Sequence, residues 1–434
     1  MGYTPHVLVV GGGATGTATA RDLAMRGLEV TLVERDNLTA GATGQMQRLL
    51  YSGARYADSD PETARQCYAE NQRLRHIGSH CVDETGGLIV KHAEDPEDYY
   101  ENTLEACSQL DIPVEEVPSE NLEESEGELS SDIEAAFEVP SAVVDPLGLT
   151  VANARSAHEY GARILTKTEV RDIVVEDGAI NGVTLYTEGV GTDTVRADYV
   201  INAAGPWAGK IAEMAGFDIP MQYAAGATVE MDESPTDQVL IRARPPGAGE
   251  VVVPADGRCV LGTTHRAIDS PDVDIESADE TDALLDELSE IVPSLRNGHA
   301  LGSHWGVWSH LGDAAVSGNY PGEFAVHDHE AEDDTWGMST VIGGTLTTHR
   351  LVAEQVADHV CRKFGIDRPC HTADNPLPGS RSEPSLEVAM ETFDLDAKTL
   401  EASLDRLGDR AGTVLDRDGP NPVICRSEER RVGK

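Results

Sequence analysis

Five apolar-biased residues near the start of the chain, HVLVV (6–10), read as a short buried strand, because continuous apolar runs of this length suit a sheet covered on both faces. A glycine loop, GGGATG (11–16), follows at once, and TATARDLAMRG (17–27) carries apolar residues at helical spacing. LEVTLVE (28–34) then returns to a strand pattern, which completes a β–turn–α–β unit. Residues 61–80 read as a polar helix, and the acid-rich stretch 94–135 as surface helices. AFEVPSAVVDP resumes alternation, and HEYGARILTKTEVRDIVVEDGAINGVTLY reads as a helix end and three strands with turns at Gly178 and Asn181-Gly182. RADYVINAAGPWAGKIAEMAG repeats the strand, glycine turn and helix. Residues 221–335 read mostly as strands with a helix near 279–292. WGMSTVIGGTLTTHRLVAEQVADHVCRKFG closes as strand, turn and long helix.

Strand–glycine–helix junctions thus occur near residues 11, 205 and 343. One nucleotide fold visited three times, with inserts between the visits, accounts for this pattern. The predicted organisation is a discontinuous nucleotide domain (1–75, 150–220, 336–375), a substrate domain (76–149, 221–335) and a C-terminal region (376–434).

Gly11, Gly13 and Gly16 form GxGxxG directly after a strand and at a helix start. In that setting the first glycine makes the turn, the second admits a pyrophosphate, and the third lets helix and strand pack. Glu34, at the end of the second strand, is placed to accept from a ribose hydroxyl. A long flavin dinucleotide lying across the fold explains three visits better than a nicotinamide cofactor, which needs only a compact sheet and a separate catalytic domain.

Composition narrows the setting. The 434 residues include 77 acids and 33 bases, a formal net charge of −44, with the acid dispersed along the chain. A dispersed excess suggests a solvated anionic surface of the kind halophile proteins use, and disfavours nucleic-acid partners. Seven cysteines without a CxxC suit a reducing cytoplasm. No signal peptide and no 18-residue apolar run are visible, and no metal site is supported.

The stretches GGGATGTATARDLAMRGLEVTLVERDNLTAGATG, LLYSGARYA, ARQCYAENQRL, VDPLGLTVANARSAHEYGA, VINAAGPWA, LGTT and IGGTLTTHRLVAEQVADHVCRKFG occur in collinear order. From about residue 5 to about 378 the chain resembles the FAD-dependent glycerol-3-phosphate dehydrogenases, most closely the large catalytic subunit of the anaerobic enzyme in its haloarchaeal type. The resemblance implies an α/β, glutathione-reductase-type FAD-binding fold with an interleaved mixed-sheet substrate domain. It implies FAD along Gly11, Gly13, Gly16, Glu34, Thr43, Gly44, Val170, Ala204, Gly205, Gly343 and Gly344. The helix after Gly343-Gly344 would point at the flavin's pyrimidine end, where hydride transfer places negative charge that a helix N-terminus stabilises. A plain cap by Thr345 or Thr347 is compatible with that role.

The family binds its phosphorylated substrate through LL-His-SG-x-RY, GV-Arg-P, and GGK followed by TYR. This chain keeps Arg55, Tyr56 and Arg350 but has Tyr51 for His, Trp308 for Arg, Thr345 for Lys and His349 for Tyr. Arg48, Arg242, Arg244 and Arg266 are possible replacement cations. Arg55, Tyr56, His349 and Arg350 are the expected catalytic set, with His310 a second candidate base. The implied reaction is oxidation of sn-glycerol-3-phosphate to dihydroxyacetone phosphate, with electrons passed to quinone or to another protein of the complex. The replaced cations leave open another small hydroxy acid, polyol or amino acid as substrate, or a non-catalytic flavin-binding paralogue. The implied location is cytoplasmic, with partner subunits providing any contact with the inner membrane face. The family's anaerobic subunits continue into a cysteine-rich, iron–sulfur-associated domain, of which Cys425 resembles the first cysteine. The final RSEERRVGK holds four basic groups and reads as adapter-derived sequence on a truncated coding region.

Overall fold

The structure, a computed structural model, describes residues 3–118, 129–245, 251–272, 278–311 and 322–380. Cys425 and the basic tail lie outside these residues. His6–Val10 is the hub of a six-stranded sheet. It pairs in parallel with Glu29–Val33 on one side and Tyr199–Asn202 on the other. Arg163–Leu165 extends the first side. Met338–Gly343 extends the second, followed by the antiparallel edge strand Phe324–Asp328. That edge strand falls in the predicted substrate domain, yet it belongs to the nucleotide sheet, because its backbone bonds go to Met338–Gly343.

The apolar run at the hub is explained by what covers it. Val7 and Val9 face the helices Ala14–Met25 and His349–Lys363, whereas Leu8 and Val10 face an antiparallel meander formed by Thr168–Glu176, Ala179–Thr187 and Gly191–Arg196. Successive side chains alternate faces, so a strand covered on both sides is apolar at every position. Each such buried aliphatic side chain contributes roughly 1.5–3 kcal/mol relative to exposure.

The second layer is a nine-stranded mixed sheet built from Gly87–His92, Glu115–Glu116, Ile133–Val139 and six strands between Met221 and Leu311. Helix Ala278–Ile291 covers one face through Leu284 and Leu288. The other face packs on residues of the helices Pro61–Ile77 and Glu97–Gln109. Among its described residues the acid-rich 94–135 stretch holds the helix Glu97–Gln109, the short strand Glu115–Glu116 and the start of the strand Ile133–Val139; residues 119–128, part of the expected set of surface helices, lie outside the described residues. Among the described residues up to 363 the remaining predicted helices and strands occur where expected.

Candidate active site

A cavity of about 640 Å³ runs between the two layers. One end is the glycine loop. Gly11 has φ +112°, and a Cβ there would sit 2.4 Å from the Ala203 carbonyl oxygen. A Cβ on Gly16 would sit 2.0 Å from the Gly11 oxygen, so Gly16 works in packing and is not a cavity wall. Gly13 caps helix Ala14–Met25 without a capping side chain, and the Ala14 N–H donates to Thr43 Oγ1 at 3.1 Å. Glu34 accepts from the Gly12 N–H at 2.7 Å and the Asp36 N–H at 2.8 Å, which fixes its carboxylate at the mouth of the loop. Thr43 lines the cavity, whereas Gly44 lies behind it, with the Thr39 oxygen where a Cβ would be.

Val170, Ala204 and Gly205 line the middle. A clasp that sequence reading missed bridges this part of the wall. Arg35 lies over the Trp207 ring at 4.3 Å, the Trp207 indole N–H donates to Asp272 at 2.6 Å, and Lys210 pairs with the same carboxylate. Hydrogen bonds from Lys210 and then Trp207 hold the Asp272 carboxyl below its usual range. Arg35, Trp207, Lys210 and Asp272 all line the cavity.

The far end begins at Gly343 and Gly344, with φ +80° and +81°, and a Cβ on Gly343 would sit 2.5 Å from the Glu323 oxygen. Helix His349–Lys363 starts beyond them. Thr345 and Thr348 cap this turn reciprocally: each backbone N–H donates to the other's hydroxyl, at 3.1 and 3.3 Å. Thr347 has a different task, accepting from the Tyr51 N–H at 3.0 Å. Tyr51 also accepts from the Gln47 side-chain amide at 3.0 Å and packs against the Tyr56 ring.

Tyr51, Trp308, Thr345 and His349, the four positions that the sequence resemblance marks as departures, line this end together with Arg55 and Tyr56. Burial pushes the Tyr56 phenol well above its usual value, so it stays protonated. His310 and His265 complete the wall, and His265 stacks with Trp308 at 5.9 Å. Burial lowers both imidazoles' proton affinity, and His265 lowers that of His310 further. His265 was not singled out from sequence, although it directly follows the LGTT motif.

Two expected catalytic residues sit differently. His349 is fully buried and its pKa is lowered to about 4 by burial. Its Nδ1 donates to the Leu346 carbonyl at 2.7 Å, which leaves Nε2 facing the Asn153 amide at 3.4 Å. It touches the cavity as a neutral, already bonded ring. Arg350 does not line the cavity. It forms a bidentate pair with buried Glu70 (2.7 Å twice) and further bonds to Glu354 and Thr372, tying two helices together. The four proposed replacement cations are also absent from the wall. Arg242 and Arg244 are held by Asp95 and nearby glutamates, Arg266 by Glu280, and Arg48 lies outside the lining. Among the described lining residues the arginines and lysines are Arg35, Arg55 and Lys210, and Arg55 stands at the flavin end.

FAD fits this cavity. A glycine cradle that a single Cβ would fill stands at one end, a helix start whose N-cap glycine brings no side chain and a fixed carboxylate beside it, and a second glycine turn at the other end. The volume is within the usual range for a small-molecule site.

Comparison with known proteins agrees. Residues 6–357 match the family described as FAD dependent oxidoreductase. The chain is 44% identical to the A1 component of the anaerobic glycerol-3-phosphate dehydrogenase of Haloferax volcanii, over 99% of this chain and 75% of that protein. It is 39% identical to the corresponding component of the anaerobic enzyme of Escherichia coli K12, over 99% and 80%. Among solved structures, glycerol-3-phosphate dehydrogenase from Bacillus halodurans, complexed with FAD, superposes with a TM-score of 0.74 at 20% identity, covering 95% of this chain and 77% of that one.

Proposed function

The chain belongs to the FAD-dependent oxidoreductase family, and from that premise we propose that it oxidises sn-glycerol-3-phosphate to dihydroxyacetone phosphate at the Arg55 end of the cavity. The observation that carries this reading is one continuous cavity, with the glycine cradle at one end and Arg55, Tyr56, His265 and His310 at the other. When bound, FAD supplies the two-electron acceptor for hydride removed from the secondary alcohol carbon.

The protein's own residues then have separable tasks. Arg55 is the cation for the phosphate, because a guanidinium matches phosphate oxygens bidentately. Tyr56, held protonated, donates a hydrogen bond and orients the substrate. His310, uncharged at neutral pH because it is buried, accepts the hydroxyl proton, with His265 beside it. His349 supports the wall, and Arg350 positions the helix that begins at the flavin end.

The loss of two family cations favours a second reading, a phosphorylated polyol larger than glycerol. Tyr51 and Trp308 would flank its extra carbons. Turnover with an artificial electron acceptor separates the two. Glycerol-3-phosphate, longer polyol phosphates, free glycerol and amino acids are compared by kcat/KM. The first reading requires the glycerol ester to lead. Preference for a longer ester selects the second, and activity confined to amino acids or glycerol removes both.

Both relatives are named as subunits of a larger enzyme. Their relationship supports partner subunits that take electrons onward to quinone and bring the protein to the inner membrane face. No helix among the described residues is long and apolar enough to cross a membrane.

A further inference from the structure

The edge strand Phe324–Asp328 runs straight into a one-turn helix, His329–Asp333, and carries the spacing His327–x–His329–x3–Asp333. The three side chains converge. His329 Nδ1 lies 2.6 Å from Asp333 Oδ2, and His327 Nε2 lies 3.1 Å from the same oxygen. The three ligand atoms fall within 4.8 Å of one another. Each imidazole is also held from behind. His327 Nδ1 is 3.1 Å from Glu332 Oε2, and His329 Nε2 is 2.9 Å from Thr340 Oγ1. The His329 ring is fully buried and stacks on Phe217 at 4.0 Å, which locks its plane. The His327 and Asp333 side chains remain 13% and 30% exposed, so the convergent face meets water.

His327 has a carboxylate oxygen against each ring nitrogen, an arrangement that suits either a doubly protonated ring or a ring that binds a cation through Nε2 and donates from Nδ1. If Nε2 coordinates a cation, Nδ1–H donates to Glu332 and both nitrogens are satisfied. The same assignment lets His329 Nε2–H donate to Thr340. A carboxylate or hydroxyl on the far nitrogen of each ligating histidine is the usual second layer of a metal centre.

The neighbouring acids are already spoken for. Lys363 pairs with Asp328 at 2.7 Å and Glu330 at 2.5 Å. Among the described residues, Glu332 and Asp333 have only the two histidines as ion-pair partners. On a chain of net charge −44, the local field attracts cations to such a pair.

We propose that His327, His329 and Asp333 form a binding site for one divalent transition-metal cation. Two imidazoles and one carboxylate with an open, water-facing side suit zinc, cobalt or nickel better than calcium or magnesium, which favour all-oxygen sets. The sequence reading assigned no metal; the site emerges only where the edge strand turns into the helix. Its position also suggests what the ion does. Thr340 Oγ1 accepts from the Asn202 amide at 3.2 Å, and Asn202 Oδ1 accepts from the Ala204 N–H at 3.3 Å. Ala204 is a wall of the flavin cavity. A bound cation braces the strands Tyr199–Asn202 and Met338–Gly343 beneath the cofactor, a structural role separate from the reaction.

The test uses purified, flavin-loaded protein treated with chelator and titrated with cobalt chloride, then zinc chloride. The expected result is one equivalent of cobalt with visible ligand-field absorption and no thiolate charge-transfer band, displaced by zinc. The absent thiolate band separates this site from the cysteines. His327→Gln and Asp333→Asn, both at partly exposed positions, each weaken cobalt binding at least about tenfold, and Glu332→Gln weakens it about tenfold through the second layer. Zinc raises the parent protein's Tm and leaves that of His327→Gln unmoved. Failure of the parent to bind either metal, or unchanged binding in both ligand variants, overturns the proposal.

Discussion

The two glycine turns at the ends of the cavity do similar work for the backbone and differ in what the side chains add. At the first, Gly11 and Gly16 pack against main-chain oxygens, and the helix start at Gly13 has no capping side chain. Recognition there is mostly backbone, and a backbone role tolerates no replacement. At the second, Gly343 and Gly344 keep positive φ, but the neighbours Tyr51, Thr345, Trp308 and His349 are the residues that differ from the pattern the sequence resemblance implies. Under the proposed function, cofactor binding rests on main-chain geometry, whereas substrate recognition rests on side chains that can change without disturbing the fold.

The largest effect should come from breaking the first turn. Gly16→Val forces a side chain into space 2.0 Å from the Gly11 oxygen. The expected outcome is a protein purified without flavin, read from the ratio of flavin to protein absorbance. Next comes the buried pair behind the second turn. Glu70→Ala removes the bidentate partner of the buried Arg350 guanidinium, leaves Glu354 as its remaining carboxylate, and should cost up to about 3–5 kcal/mol in denaturant unfolding. If Arg350 instead met substrate, the main effect would fall on KM. Arg55→Met should retain flavin and lose about 1.5–3 kcal/mol of charge-assisted binding, a fall in kcat/KM of roughly ten- to a hundred-and-fifty-fold.

A pH series sharpens the contrast between the two histidine roles. His349 titrates at about 4 in the fold against 6.5 as a free side chain. As pH falls, the unfolded chain takes up that proton first, so stability is intact above about 6.5 and is lost as pH falls toward about 4. His349→Gln should flatten this part of the stability curve. For His310, the acid limb of kcat/KM should lie below 6.5, the direction burial imposes, and should vanish in His310→Gln. The smallest effect is expected from Thr345→Lys. It restores the family's cation at the cost of the reciprocal cap, typically about 1 kcal/mol of stability. Tighter glycerol-3-phosphate binding is the outcome that supports a phosphate site at this turn.

What could be read from sequence follows the same division. The strand–glycine–helix junctions were legible because backbone geometry constrains residue type directly, and Gly11, Gly13, Glu34, Val170, Ala204 and Gly343 all line the cavity. Arg350 was misplaced because its partner, Glu70, lies 280 residues away, and nothing local to THRLV signals that the guanidinium is taken. His265, Arg35 and Lys210 were missed for the complementary reason: three distant segments bring them to one cavity. The edge strand Phe324–Asp328 was assigned to the wrong layer because strand pattern carries no information about partner.

The most direct test of the division between backbone-held cofactor and side-chain-held substrate is anaerobic flavin reduction. Purified protein is mixed with glycerol-3-phosphate or with glycerol, in the parent and in Arg55→Met, and bleaching of the flavin absorbance is followed. The expected result is equal flavin content in both proteins, rapid bleaching of the parent by the phosphate ester alone, and bleaching slowed by at least tenfold in Arg55→Met. Bleaching that is equally fast in both proteins, or absent from the parent, would contradict it.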